Sequence, residues 1–242
     1  MPSRRYPSGT GARIHRMCNE AELETVFQPL VELTSQDCVA YEALTRFPDD
    51  SPWTTSDWFA AAREAGMANM LELAAIAGAL RHIDGIPSQC ALSINVSPAV
   101  AMTAEFFDLV EPFAHRLIIE LTEHEPVEDY AGLVDALAEL RSLGARIAVD
   151  DVGAGFASLR HILRLAPDII KLDLSLTRGI EDDPGIHALT SALVDFAAKM
   201  DALISAEGIE TASELEALRE LGIDHGQGYL LGMPGPLGAV LN

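Results

Sequence analysis

The sequence predicts an α/β fold, a (β/α)8 TIM-like barrel whose first strand is antiparallel. The chain has 242 residues, close to the roughly 250 that one such barrel takes. From residue 91 onward, short apolar runs alternate with segments whose apolar residues recur at helical spacing. Before that, two β-prone runs are joined by the polar segment Thr34–Asp37, which is typical of a hairpin and therefore of an antiparallel pair. An open doubly wound sheet is the alternative fold.

The predicted elements follow one another along the chain. Residues 1–16 hold four arginines without apolar periodicity, so they predict a flexible basic tail or linker remnant, and residues 17–242 form the domain. The predicted strands are Thr25–Leu33, Val39–Phe47, Ala91–Val96, Leu117–Leu121, Arg146–Asp150, Ile169–Leu172, Ala202–Ala206 and Gly228–Leu231. The predicted helices are Thr55–Gly66, Met67–His82, Ala99–Val110, Tyr130–Leu143, Ala157–Leu165, Ile186–Met200 and Ala212–Leu221. Ser56 is expected to cap the first helix.

Charge and composition limit the function. The formal net charge is -21, and residues 17–242 carry 12 basic against 37 acidic side chains. Polymeric nucleic acid is therefore excluded as a partner, because its binding depends on phosphate neutralisation, and a small anion would need bound cations. Cys18, Cys38 and Cys90 lack C-x-x-C spacing, which indicates a reducing compartment and no thiolate metal site. With no apolar run of 18 residues, we expect a cytoplasmic protein without a membrane segment.

Two adjacent carboxylates, Asp150 and Asp151, end the apolar strand that begins at Arg146. Side chains alternate across a strand, so the two can converge only where the chain leaves strand geometry, and Gly153 and Gly155 supply that freedom. Two neighbouring anions repel each other and favour a cation between them. Taken alone, the pair is equally typical of a helix cap and of a metal site.

Polar residues also interrupt or end most of the other predicted strands. In a barrel of this type the active site lies at the C-terminal mouth of the strands. Charges buried in several successive strands are costly unless they are compensated. The residues are Glu42, Asn95, Glu120, Asp150, Asp151, Lys171, Glu207 and Gln227. The candidate ligand atoms are oxygens, which suit Mg²⁺ or Mn²⁺ better than Zn²⁺, and their number favours two ions.

Lys171 is one of only two lysines in the chain, the other being Lys199. Near bound cations the pKa of Lys171 should fall, which would make it a base or an orienter of nucleophilic water. The alternative is a structural salt bridge to a neighbouring carboxylate. From this strand alone, the salt bridge is the simpler interpretation.

The polar residues belong to short motifs that follow one another in order. The motifs are Val26-Phe27-Gln28-Pro29, Glu42-Ala43-Leu44 with Arg46, Ser93-Ile94-Asn95-Val96-Ser97, Glu120-Leu121-Thr122-Glu123, Asp150-Asp151-Val152-Gly153, Ile170-Lys171-Leu172-Asp173, Ala206-Glu207-Gly208-Ile209-Glu210 and Gln227-Gly228-Tyr229. In this order and spacing they resemble the EAL-domain family of cyclic di-GMP phosphodiesterases. The resemblance spans about residue 20 to Pro234. The set is specific, whereas E-A-L alone would mean little.

The resemblance implies a role for each of these residues. The implied ligands of one metal ion are Glu42, Asn95, Glu120 and Asp150. The implied ligands of a second ion are Asp150, Asp151 and Glu207. Lys171 is implied to hold or deprotonate the attacking water, and Glu42 and Glu207 count with it as catalytic. The implied substrate contacts are Gln28, Leu44, Arg46 and Gln227. Glu123 is implied to steady the loop after Asp151.

The function implied is hydrolysis of cyclic di-GMP to linear pGpG with two Mg²⁺ or Mn²⁺ ions, in bacterial second-messenger signalling. The resemblance also implies a homodimer. Two alternatives stay open for the organisation: a regulatory domain outside this chain, and a catalytic domain that stands alone. One loop departs from the family, since Val152, Ala154 and Phe156 replace the usual phenylalanine, threonine and tyrosine.

One alternative function is that of a catalytically weak receptor that binds cyclic di-GMP and regulates a partner. Another is an enolase-type barrel with Lys171 as base, which usually needs a capping domain for which 242 residues leave no room.

Overall fold

The structure, a computed structural model, describes residues 6, 9–20, 22–48, 52–122, 127, 129–153 and 162–241. Eight strands close into one barrel in chain order, which confirms the predicted fold. The strands are β1 Glu24–Glu32, β2 Cys38–Arg46, β3 Ala91–Val96, β4 Leu117–Leu121, β5 Arg146–Val152, β6 Ile169–Leu172, β7 Leu203–Ala206 and β8 His225–Gly226. Strand β1 pairs antiparallel with β2 and β8. The other neighbours pair in parallel.

Helices surround the barrel. They are α1 Thr10–Asn19, α2 Thr55–Glu64, α3 Ala68–Leu80, α4 Pro98–Ala101, α5 Ala104–Val110, α6 Tyr130–Ser142, α7 Pro184–Lys199, α8 Ala212–Glu220 and α9 Leu237–Val240. Three short 3₁₀ segments cover Ile83–Gly85, Glu111–Arg116 and Leu174–Leu176. Residues 162–165 are also helical, and the first part of the helix predicted there lies outside the described residues. Within the part of the chain that the structure describes, no helix has both the length and the apolar character needed to cross a membrane.

Two apolar layers follow from the alternation of side chains along the strands. One residue from each of β1 to β6 points into the barrel, and together these residues form the inner apolar cluster: Leu30, Ala40, Ala91, Ile118, Ala148 and Ile169. Their strand neighbours, such as Ile119 and Ile147, face outward and pack with helix residues such as Leu133 and Leu193 in the outer core. The inner apolar cluster fills the barrel below the mouth, so that only the mouth is open to polar chemistry.

The start of the chain corrects one prediction. Residues 10–16 are part of α1, so the expectation of a flexible tail over residues 1–16 is wrong for them. Ile14 and Met17 lie three residues apart on one helical face and are completely buried. They form a second core with Trp58, whose ring stacks on Phe47 at a centroid distance of 5.4 Å. Burial of this apolar face against α2 and α3 stabilises α1 despite its basic residues.

Helix boundaries differ from prediction where capping residues act. Thr54, not Ser56, caps α2, because the Thr54 side chain accepts a hydrogen bond from Asp57 N and the Asp57 side chain accepts one from Thr54 N. The helix predicted over Ala99–Val110 is divided into α4 and α5, because the Thr103 side chain caps a new helix start.

The last strand also differs from the prediction over Gly228–Leu231. The strand is His225–Gly226, and Gln227 follows it. Gly228 O accepts hydrogen bonds from Leu231 N and Gly232 N, both at 3.0 Å. These local bonds form a turn and do not belong to the hydrogen-bond ladder of a strand. The run Tyr229–Leu231 had the apolar character of a strand, but Tyr229 is 59% exposed. Glycine is required at 228, since a Cβ there would lie 2.2 Å from Ile209 N and O.

We expect Gly228→Ala to lower the free energy of unfolding by about 1–3 kcal/mol, because the added methyl group forces the backbones of residues 209 and 228 apart. Urea denaturation would measure this. Gly238→Ala is the matched control, since a Cβ at Gly238 meets no atom within 4 Å. Equal losses for the two variants would contradict the close approach.

Candidate active site

Polar side chains form a layer directly above the inner apolar cluster. Residues two apart on a strand face the same side, so each polar residue lies one step closer to the mouth than its apolar neighbour. The pairs are Ala40 and Glu42, Ala91 and Ser93, Ile118 and Glu120, Ala148 and Asp150, and Ile169 and Lys171. Asn95 lies one further step along β3. The backbone N–H of Glu207 donates to Leu172 O at 3.2 Å, which extends the β6–β7 ladder and brings Glu207 to the same mouth.

Lys171 lies at the centre of this layer, with its side chain 2% exposed. Its ammonium donates to Glu120 Oε2 at 2.8 Å and lies 2.6 Å from Glu207 Oε1. Asp150 Oδ1 at 3.5 Å and Glu42 Oε2 at 3.8 Å complete its surroundings. The salt-bridge interpretation of Lys171 therefore agrees with the structure, with four carboxylates near the ammonium where the sequence suggested one.

Amide and hydroxyl groups orient the carboxylates. Asn95 Nδ2 donates to Glu42 Oε1 at 2.8 Å, and Gln227 Nε2 donates to Glu42 Oε2 at 2.8 Å. Gln227 Nε2 also donates to Gln28 Oε1 at 2.9 Å. Ser93 Oγ donates to Glu120 Oε1 at 2.6 Å. Both oxygens of Glu42 and both of Glu120 therefore have donors, which fixes their directions inside the barrel.

Three carboxylates, those of Asp150, Asp151 and Glu207, offer oxygen atoms within 4.8 Å of one another. A bulge makes this possible. Val149 pairs with Ile170 and Val152 with Leu172, so β5 has one residue more than β6 over this stretch. Asp151 occupies the left-handed region, with φ 56°, which aspartate tolerates better than most residues. The departure from strand geometry thus begins at Asp151 and continues at Gly153, whose φ is 121°, whereas Gly155 lies outside the described residues.

The charge of the layer fits divalent cations. Five carboxylates face the single Lys171 ammonium, so full ionisation would leave a net charge of about -4. Like charges this close and this buried destabilise one another. All the ligand atoms are oxygens, the type that Mg²⁺ and Mn²⁺ accept. The acidic cluster is thus suited to a metal centre.

Three pKa values in the layer are raised, and that of Glu120 is raised well above its usual value, chiefly by burial. Burial alone lowers the pKa of Lys171, but Asp150, Glu120, Glu207 and Glu42 raise it well above its usual value. The sequence led us to expect a lowered pKa for Lys171 beside cations, whereas these carboxylates have the opposite effect and raise its pKa. Burial, reinforced by Asp150 and Glu42 and opposed by Lys171, raises the pKa of Glu207 to about 8. Glu207 therefore holds its proton to a higher pH than an ordinary glutamate does.

A cavity of about 530 Å³ opens beside the carboxylate layer, between β2, β3, α2 and α3. Leu44, Arg46, Asn95 and Asp151 line it, so it adjoins both groups of predicted ligands. Gln28 and Gln227, the other predicted substrate contacts, lie in the hydrogen-bonded layer, and Gln28 Nε2 donates to Gly232 O at 3.0 Å. Glu123, Ala154 and Phe156 lie outside the described residues. The structure therefore brings together every predicted site residue that it describes.

The sequence did not identify Ser93 as part of the site. Ser93 lies two residues before Asn95 on β3, so strand alternation alone placed it on the same inner face. It is 1% exposed, and it orients Glu120 as described above. The signal in the sequence was its position two residues before Asn95, which gives a small hydroxyl side chain the same inward direction as the amide.

The family comparison agrees with this geometry. A family model described as EAL domain matches residues 12–234. The chain therefore belongs to the EAL-domain family. It is 29% identical over 227 residues to the probable cyclic di-GMP phosphodiesterase PdeD of Escherichia coli K12, covering 89% of this chain and 42% of that protein. It is 28% identical over 229 residues to the cyclic di-GMP phosphodiesterase PA2567 of Pseudomonas aeruginosa, covering 89% and 39%. The chain spans less than half the length of these curated relatives.

Solved structures show the same fold. The PaMucR phosphodiesterase in complex with c-di-GMP is 26% identical, with a TM-score of 0.83, over 95% of this chain and 98% of that chain. The EAL enzyme Bd1971, in a form that binds cAMP and cyclic di-GMP, is 28% identical with a TM-score of 0.82, over 95% of this chain and 66% of that one.

We expect the metal-free protein to lose stability as pH rises from 5 to 8 because of Glu207. The folded protein holds the Glu207 proton up to about pH 8, whereas an unfolded glutamate releases it near pH 4.5. In this window the folded state binds more protons, so its stability falls as pH rises. Urea denaturation in EDTA, compared with Glu207→Gln, isolates this group, because the variant lacks the titration. Parallel pH profiles for wild type and variant would contradict the assignment.

Proposed function

We propose that this chain hydrolyses one phosphodiester bond of cyclic di-GMP to give linear pGpG, with two Mg²⁺ or Mn²⁺ ions. One observation supports the proposal: four carboxylates lie around Lys171, and the oxygens of Asp150, Asp151 and Glu207 lie within 4.8 Å of one another, next to a cavity of about 530 Å³. A cavity of this size lies in the range of small-molecule sites. The relatives named for cyclic di-GMP hydrolysis, and the PaMucR structure that binds c-di-GMP, support the choice of substrate.

Two groups of residues would hold the metal ions. The first group is Glu42, Asn95, Glu120 and Asp150, and the second is Asp150, Asp151 and Glu207. Bound there, divalent ions supply charge that stabilises the phosphorane-like transition state and lowers the pKa of water. Asp150 is proposed for both groups, since its Oδ1 lies 3.5 Å from the Lys171 ammonium and it shares the carboxylate cluster with Asp151 and Glu207. Asn95 and Gln227 keep Glu42 oriented, since each donates to one of its oxygens.

Lys171 would act on the nucleophilic water. Its ammonium is held by carboxylates from three strands and from the end of β7, so its position is fixed before substrate binds. When cations compensate those carboxylates, less negative charge supports the protonated form, and the pKa of Lys171 falls toward neutrality. Lys171 can then orient the water and take its proton. Arg46, on the cavity wall, is placed to contact a substrate phosphate.

The receptor alternative depends on the unusual residue Val152. Its side chain is 1% exposed and lies in the outer core on the helix side of β5. Val152 therefore does not line the carboxylate layer, and replacing the family's phenylalanine changes packing behind the strand. Every described ligand position keeps its oxygen donor. These observations favour hydrolysis over binding alone. A homodimer, a regulatory domain outside this chain and a cytoplasmic location stay sequence-based predictions.

Incubation of the purified protein with cyclic di-GMP and Mg²⁺ or Mn²⁺ tests the proposal. We expect chromatography to show linear pGpG, and EDTA to abolish its formation, because the carboxylates alone cannot bind an anionic phosphate. Binding of cyclic di-GMP for hours in Mg²⁺ without any linear product would replace the enzyme by the receptor alternative.

We expect Lys171→Ala to reduce kcat by about 10²–10⁴-fold, the usual contribution of a positioned acid or base, with little change in substrate binding. Steady-state kinetics and calorimetric titration of cyclic di-GMP would separate the two effects. Lys199→Ala is the matched control, because Lys199 is the only other lysine and is exposed on α7. A raised KM with unchanged kcat would assign Lys171 to substrate binding.

A further inference from the structure

Two of the three cysteines are neighbours at the end of the barrel opposite the mouth. Cys38 opens β2, and Cys90 directly precedes β3, where Ala40 and Ala91 are partners in the parallel register. Cys90 Sγ donates to the Cys38 carbonyl oxygen at 3.2 Å. Two cysteines that lie 52 residues apart in sequence are therefore in contact, the thiol of Cys90 against the backbone of Cys38.

A bulge in β2 places both side chains on the same side of the sheet. The β1–β2 register shifts between Leu30, which pairs with Ala40, and Val31, which pairs with Cys38. Val39 is the extra residue and packs on the inner apolar cluster, whereas Cys38 packs on the outer core that contains Cys90. The pairing of Ala40 with Ala91 sets Cys90 opposite Val39, so Cys38 and Cys90 are diagonal neighbours, one residue out of register. With strands roughly 4.8 Å apart and a rise of roughly 3.3 Å per residue, a diagonal pair lies within the roughly 4.4–6.8 Å Cα separation that a disulfide spans. A bond between the sulfurs requires little backbone movement.

The two thiols differ in access. Cys38 is half-buried, and its thiol donates to Ala40 O at 3.2 Å. Cys90 is 5% exposed, and burial, followed by the charge and hydrogen bond of Cys38, raises its pKa to about 11. A small oxidant therefore reaches Cys38 first, and Cys90 lies beside it as a protonated thiol.

We propose that Cys38 and Cys90 form a peroxide-reactive pair that closes to a disulfide. The Cys38 sulfur attacks one oxygen of hydrogen peroxide: the S–O bond forms, the O–O bond breaks, and the thiol proton leaves with the second oxygen as water. The Cys90 sulfur then attacks the Cys38 sulfenic acid: the S–S bond forms, the S–O bond breaks, and the Cys90 proton leaves with the hydroxyl group as a second water. The two thiols are oxidised by two electrons, and the peroxide is reduced.

The cross-link would close a loop of the chain that includes part of the cavity wall. The closed loop from Cys38 to Cys90 contains α2 and α3, and both helices line the cavity beside the mouth. A disulfide restricts the unfolded chain over this loop, so the oxidised protein should withstand higher urea concentrations. Cys38 precedes Glu42 by four residues on β2, roughly 13 Å along the strand, so the pair is separate from the proposed metal ligands.

Oxidation of the full chain tests the pair without reference to phosphodiesterase activity. The reduced protein is treated with stoichiometric hydrogen peroxide, alkylated, digested without reductant and examined by mass spectrometry. We expect one linked peptide that joins Cys38 to Cys90, lighter by two hydrogens than the separate peptides, and reversal by dithiothreitol. In Cys90→Ser, dimedone should trap a sulfenic acid at Cys38. In Cys38→Ser, Cys90 should stay reduced.

Cys18→Ser is the matched control. Cys18 is also half-buried but packs in the second core with Trp58, so its removal should leave the linked peptide unchanged. Sulfinic or sulfonic acid at Cys38 without a linked peptide in the wild type would overturn the proposal. A link from either residue to Cys18, or a faster reaction of Cys90 than of Cys38, would overturn it as well. Because the wild-type peptide map decides, a folding defect in a variant leaves the test intact.

Discussion

The whole mouth of the barrel depends on the buried ammonium of Lys171. An isolated buried charge costs on the order of several kcal/mol even after relaxation, so carboxylates must surround it, and here Glu120 and Glu207 lie within 2.8 Å. The carboxylates repel one another and need further donors, so Ser93 donates to Glu120, and Asn95 and Gln227 donate to Glu42. The result is a connected polar layer in which each side chain limits the position of the next. Side chains held in this way by one another have fixed directions, which is the arrangement that electrostatic stabilisation of a transition state requires.

The fold could be predicted where buried apolar runs are bounded by turns. The bounds of β3, β4 and β6 agree with prediction to the residue, because each is a short run buried on both faces. The sequence failed where contacts distant in the chain decide. Strand β8 has two residues, too few to give a pattern, and its place depends on pairing with β7 and β1. Helix α1 depends on Trp58, which lies more than 40 residues beyond Ile14, so no local pattern revealed it.

The sequence could predict which polar residues face the inside of the barrel, but not which of them contact one another. Alternation along a strand showed which polar residues face inward, because their apolar neighbours two residues earlier had to fill the barrel. Which carboxylate meets Lys171, and at what distance, depends on how eight strands close and on the stagger between them. The contact of Cys38 with Cys90 was missed for the same reason. It needs the β2–β3 register and a bulge at Val39, and neither has a signature in the sequence.

The bulge in β5 shows how one residue can serve a metal centre without loss of the core. In a regular strand, Asp150 and Asp151 would point to opposite faces, and Asp151 would enter the outer core, where an unpaired carboxylate is costly. One extra residue, with Asp151 at φ 56°, turns both carboxylates toward Glu207 and returns Val152 to the apolar side, paired with Leu172. The left-handed backbone of the aspartate costs roughly 1–3 kcal/mol. Two effects offset this cost: the burial of Val152 in the outer core, and any cation that the three carboxylates hold. A regular β5 would keep the fold but divide the ligand group, so strain at Asp151 is the feature that separates this mouth from an ordinary barrel end.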